Sequence, residues 1–152
     1  MSEARDKMDA ALKEHVVPAL RSRGFSGSFP HFRRIRASVV DMLTFCFSQA
    51  GGNFCVEVAS CPLERLIGHL GTPIPVSKAK VWNAPSRRLR LGSRDMRLDH
   101  WFRFDETCFA HIRTTTFYRR DGDPYERAAK AVLPFLDSQA EVWWDRLQDS
   151  GA

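Results

Sequence analysis

Arginine and tryptophan concentrate in one stretch of the chain, where Lys78, Lys80, Arg87, Arg88, Arg90, Arg94, Arg97 and Arg103 are interleaved with Trp82 and Trp101. A guanidinium is a planar, permanently charged fork that grips carboxylates and phosphates and stacks on aromatic rings. This combination therefore suits an acidic protein partner or the bases of a nucleic acid. The alternation Arg88-Leu89-Arg90-Leu91 would put both arginines on the solvent face of a strand, where charge also serves simply to protect a sheet edge. The leading expectation is an acidic protein docked on Arg87, Arg88, Arg90, Arg94, Trp101 and Arg103. A nucleic acid held by the same stretch, Arg87 to Arg103, is the alternative.

A second chemical feature is Glu57. Leu43, Phe45 and Phe47 alternate with Met42, Thr44 and Cys46, and Phe54, Val56 and Val58 alternate with Cys55 and Glu57. Side chains in a strand point to opposite faces in turn, so the first set packs under helices and the second forms a mixed, half-polar face. Glu57 on that face is a partner contact or, as a further alternative, the acid or base of a small enzyme with a pocket there. Trp143 and Trp144 in the last helix offer a cover for the same face, because two neighbouring tryptophans cannot both enter one core.

Other chemistries lack their residues. The five histidines are scattered singly, and Cys108-x-x-His111 has no second pair in sequence to complete a metal site. There is no Gly-x-Ser-x-Gly elbow, no phosphate loop ending in Lys-Ser/Thr and no Gly-x-Gly-x-x-Gly. Asp105-Glu106 reads as a helix cap. No catalytic residue, metal or cofactor is expected. Cys46, Cys55, Cys61 and Cys108 have no CxxC spacing and sit among apolar residues, as reduced core thiols do. A Cys46–Cys55 bridge within one hairpin is the oxidised alternative, but it needs a compartment for which there is no signal.

These residues must be positioned by elements that the periodicity outlines. Met8, Leu12, Val16, Ala19 and Leu20 recur every three or four residues, predicting an amphipathic helix over 5–23 that Gly24 ends and Pro18 kinks near Glu14. Strands follow at 29–37, 39–48 and 54–58, the last two joined by Ala50-Gly51-Gly52-Asn53, which can supply the positive φ angles of a tight hairpin. Residues 62–70 read as a short helix begun by Pro62, and 71–85 as a connecting loop. Weaker strand patterns lie at 87–91 and 100–104, and residues 105–118 are ambiguous between helix and strand. Asp123-Pro124-Tyr125-Glu126 has the N-cap, first-turn proline and capping glutamate of a helix start. Pro134 is expected to interrupt that helix, and Ser138-Gln139-Ala140-Glu141 to cap a second one through Gln148.

The chain of 152 residues has the length of one domain, 1–152, and its 43% hydrophobic and 27% charged content is that of a globular protein. The first 23 residues lack an apolar core of the signal-peptide kind, and no stretch approaches a membrane span, so a soluble cytoplasmic protein is expected. The net charge of +5 is unevenly spread: Lys and Arg outnumber Asp and Glu by 11 to 4 over 78–120, but are outnumbered 3 to 7 over 121–152. An acidic tail lying against the basic middle would satisfy both.

The order of elements resembles the bacterial family catalogued as domain of unknown function 4304. The likeness is carried by Pro18-Ala19-Leu20 with Gly24-Phe25, Phe32-Arg33-Arg34, Leu43-Thr44-Phe45, Phe54-Cys55-Val56-Glu57-Val58 and Val132-Leu133-Pro134-Phe135-Leu136. Arg90-Leu91-Gly92 leading to Asp99-His100-Trp101-Phe102 extends it. The resemblance implies an α+β domain and no assigned activity. The expected architecture is an N-terminal helix packed on a four- to five-stranded antiparallel sheet, followed by two C-terminal helices. The expected function is a non-catalytic protein-binding module, with toxin neutralisation by an immunity protein as its specific form by analogy.

Overall fold

The stripe of Met8, Leu12 and Val16 is fully buried, and it seats the first helix, α1 (Glu3–His15), on a sheet. Ser2 caps it by accepting a hydrogen bond from the Arg5 amide. Val16 separates α1 from α2 (Val17–Ser22), in whose first turn Pro18 sits without needing a donor. The break therefore falls where a proline inside the stripe requires it. Gly24, at φ 91°, turns the chain out of the helix. The computed structural model describes residues 2–85, 88–94, 100–104 and 122–149, with side chains as far as 146.

The sheet consists of β1 (Ser26–Ser28), β2 (His31–Arg36), β3 (Val39–Phe47), β4 (Asn53–Pro62), β5 (Leu89–Arg90) and β6 (Phe102–Arg103), with every pairing antiparallel. Its order is β1-β2-β3-β4-β5, and β6 joins the β5 side of β4 nearer the hairpin. Ser-Gly-Ser has little strand propensity, so the short β1 edge has no signature in the sequence. The β3–β4 hairpin turns at Gly51 and Gly52, with φ of 83° and 78°.

The parity of the hairpin is as expected. Leu43, Phe45, Phe54, Val56 and Val58 join Phe25, Phe32, Leu89, Leu91, Phe102, Phe104 and the helices in the larger core. Phe54 is central to it, packing against Phe45, Phe47, Phe102 and Phe104. A second, smaller core lies on the opposite face and joins Val40, Met42, Ala59 and Cys61 to Leu66, Ala79 and Val81.

Residues 62–85 are what cover that second face, which corrects two expectations. No helix begins at Pro62. Instead β4 runs to Pro62, which lies opposite Val39 at the end of the β3–β4 ladder, because a strand end needs no amide from proline. Short 3₁₀ turns follow at Leu63–Arg65, His69–Gly71, Val76–Lys78 and Val81–Asn83. The segment expected to be a mere connection buries Ala79 and Val81 against the sheet. Trp144, the other expected cover, belongs to the helix-side core, where its indole N–H donates to the Met42 carbonyl at 3.3 Å.

At the C-terminus α3 (Pro124–Phe135) continues through Pro134 into a wide π-type turn, Leu136–Glu141, and then α4 (Val142–Asp149). Ser138 does not cap a new helix; its hydroxyl donates back to the Pro134 carbonyl at 3.0 Å. Val132, Leu136, Ala140 and Trp144, four apart, are all fully buried. A proline inside a helix costs about 3 kcal/mol, whereas burying each large apolar side chain contributes about 1.5–3 kcal/mol, so the stripe holds both segments on the core.

Among the described residues the acids of the tail pair with cations outside the basic middle. Glu141 bridges Arg34 and Arg23, Asp137 meets Arg23, and Asp145 meets Arg36, at 2.8–3.2 Å. Among the described residues the acids at 137–145 thus meet cations within 23–36, while Glu126 pairs inside its own helix with Lys130 at 2.6 Å. Asp41, fully buried beneath this network, accepts from both Arg34 and Arg36.

Candidate partner-binding face

Strand register assembles a row of polar side chains across the face opposite the helices. His31 of β2 lies opposite Thr44 of β3, Thr44 opposite Glu57 of β4, and Glu57 opposite Arg90 of β5. With strands about 4.8 Å apart, the row spans about 14 Å. His31 Nδ1 and Thr44 Oγ1 are 3.1 Å apart. Arg90 Nη2 donates to Glu57 Oε1 at 3.1 Å, and Arg88 Nη1 to Glu57 Oε2 at 3.3 Å. Thr44 and Glu57 are buried, whereas His31, Arg88 and Arg90 are half-buried.

A tryptophan stands at each end of the row. Trp82, 52% exposed, meets the His31 ring edge-on at 5.3 Å and carries Lys80 Nζ over its face at 5.3 Å. Trp101, 36% exposed, has the Arg90 guanidinium 4.9 Å from its ring centre. Such a cation is attracted by the negative π-face of the ring.

Beside the row toward the hairpin, Cys46 and Cys55 face each other as free thiols. The Cys55 thiol donates to Cys46, which holds the Cys46 thiol below its ordinary pKa against the opposing effect of burial. The same bond, together with burial, pushes Cys55 far above the ordinary range. His31 is held below its ordinary value, first by burial and then by the positive charges of Lys80 and Arg33.

Of the residues expected to form a site, Glu57, Arg88, Arg90 and Trp101 are brought together. Arg103 lies opposite Asn53 on the same face, since its neighbours Phe102 and Phe104 enter the helix-side core. Arg94 is exposed beyond β5. Arg87, Asp105-Glu106 and the Cys108-x-x-His111 pair lie outside the described residues. Among the described residues no three His, Cys, Asp or Glu side chains are grouped closely enough to hold a metal. His31 was not legible as part of the site, since only the register of β2 against β3 reveals it.

Both carboxylate oxygens of Glu57 are engaged by arginines, which counts against its use as a general base. Across the strands of this face Glu57 is the single acid among the described residues, against Arg33, Arg90 and Arg103. The face is cationic, aromatic and built on rigid sheet.

A family model described as "Domain of unknown function (DUF4304)" matches residues 16–146. The chain belongs to this family. The match runs from the end of α1 to α4 and so includes every element of the DUF4304 sheet and the whole polar row. No curated protein and no solved structure matches the chain. Among the described residues no helix is long and apolar enough to cross a membrane.

Proposed function

We propose that this DUF4304 chain acts as one domain, residues 1–152, and that it is a non-catalytic module binding an acidic protein on the face that carries the polar row. The reading rests on one observation: two exposed tryptophans, each backed by a cation, stand at opposite ends of a row about 14 Å long. Tryptophan and arginine dominate the energetics of protein interfaces because a large rigid surface is desolvated at little entropic cost. An acidic partner is favoured by the charge of the face, and a toxin neutralised by this domain is its specific form. The cytoplasm suits the free Cys46 and Cys55 pair.

Reversing the charge of Arg88 or Arg90 is a poor test, since it would set like charges against the buried Glu57. Trp82→Ala and Trp101→Ala remove exposed rings and leave the core intact. The test is affinity capture of a partner from the source lysate by the wild-type protein, followed by titration of the purified partner. Each variant is expected to weaken binding by at least tenfold, about 1.4 kcal/mol or more. Equal affinity for wild type and both variants would remove this face as the interface, and a nucleic acid as the captured species, with affinity falling steeply in salt, would replace the protein partner.

A further inference from the structure

At the Trp82 end of the polar row, sharing His31 and Lys80 with it, a cleft of about 530 Å³ opens between the β1–β2 edge and the Val76–Lys78 turn. This is within the range of small-ligand pockets. Arg33, Lys78 and Lys80 line it together with His31, Ser28 and Ser77, and no carboxylate lines it. None of the three cations is in an ion pair among the described residues, whereas Arg23, Arg34, Arg36, Arg88 and Arg90 all are. Arg33 spends its Nε on the Ala79 carbonyl at 3.3 Å, which orients the guanidinium and leaves its terminal nitrogens to the cleft.

Two further features shape the cleft for an anion. Gly27, at φ 105°, lines the cleft where a Cβ would stand 2.6 Å from the His31 carbonyl, so the close β1–β2 approach that forms this wall requires glycine. His31 fixes Nδ1 at Thr44, leaving its other nitrogen for a ligand. Like charges held together without a counter-ion repel one another, and Lys80 and Arg33 accordingly add to the larger effect of burial in holding His31 below its ordinary pKa.

We propose that this cleft is a binding site for a phosphate dianion, carried by a phosphorylated ligand, with Arg33, Lys78 and Lys80 as the charged contacts and Ser28 and Ser77 as hydroxyl donors. Phosphate fits better than a single carboxylate because it has nearly two negative charges and three acceptor oxygens to distribute over three cations. The phosphate has two possible sources, a phosphorylated side chain of a protein or a small phosphorylated metabolite.

The test is equilibrium dialysis of radiolabelled inorganic phosphate at an ionic strength held constant with chloride. The wild-type protein is compared with a Lys78→Gln, Lys80→Gln double variant and with a charge-matched Lys7→Gln, Lys130→Gln control on the exposed sides of α1 and α3. Saturable binding tighter than about 1 mM is expected, weakened about tenfold or more in the first variant and less than twofold in the control. No saturable binding, or equal weakening in both variants, overturns the site. Displacement of phosphate by O-phosphoserine would identify a modified protein as the source, and displacement by a nucleoside monophosphate a small metabolite; failure of both overturns the proposal.

Discussion

Replacing Asp41 with alanine should destabilise the fold more than any other loss of a single charge. Its carboxylate is fully buried and accepts from Arg34 Nε at 3.0 Å, Arg34 Nη2 at 2.9 Å and Arg36 Nε at 2.6 Å, with the Ser60 hydroxyl at 3.4 Å. Breaking a buried ion pair from one side costs about 3–5 kcal/mol, because the remaining charge stays desolvated. Here the arginines keep other acids, Arg34 the Glu141 carboxylate at 2.9 Å and Arg36 that of Asp145 at 2.8 Å, so the lower end, about 3 kcal/mol, applies. For a chain of this size that corresponds to a fall in Tm of about 6–12 °C. Urea unfolding followed by tryptophan fluorescence and by far-UV circular dichroism gives the value directly. A loss below about 1 kcal/mol would show that the network is replaceable by water and that the reasoning from burial is wrong.

Other outcomes follow from the same geometry. Phe54→Ala removes a fully buried ring packed against four others and is expected to cost about 3–5 kcal/mol in urea unfolding, with a loss under 1 kcal/mol counting against its central place. Cys46 should be alkylated by iodoacetamide before Cys55 and Cys61, because its thiolate is favoured by the Cys55 thiol while burial raises Cys61 and the shared proton raises Cys55; peptide mapping that finds Cys55 or Cys61 modified first would contradict this. His31, facing Lys80 and Arg33 with Thr44 and Trp82 beside it, has a folded pKa below the ordinary 6.5. The unfolded chain then binds more protons between the folded pKa and 6.5, so stability declines as pH falls through that window and His31→Gln should flatten the decline. An NMR titration placing the imidazole at or above 6.5 would refute the assignment.

Much of this protein was legible in its residues because the signals are local. The four-residue spacing of Met8, Leu12 and Val16, the alternation through Leu43 and Phe45, the paired glycines and the Asp123-Pro124 cap each act over one or two turns of chain. They determined the N-terminal helix with its break before Pro18, the hairpin and its two faces, and the start of α3. Apolar spacing also outlasted a local breaker: Val132, Leu136, Ala140 and Trp144 hold the chain helical across Pro134, because burial along a stripe outweighs one missing hydrogen bond. What only the tertiary structure decided are the pairings over long separations. Sequence order contains no register, so nothing local sets His31 in line with Thr44, Glu57 and Arg90, or brings Glu141 to Arg34 and Asp145 to Arg36. The same holds for residues 62–85, whose irregular turns lack any period and whose role as a cover exists only because Val40, Met42, Ala59 and Cys61 need one.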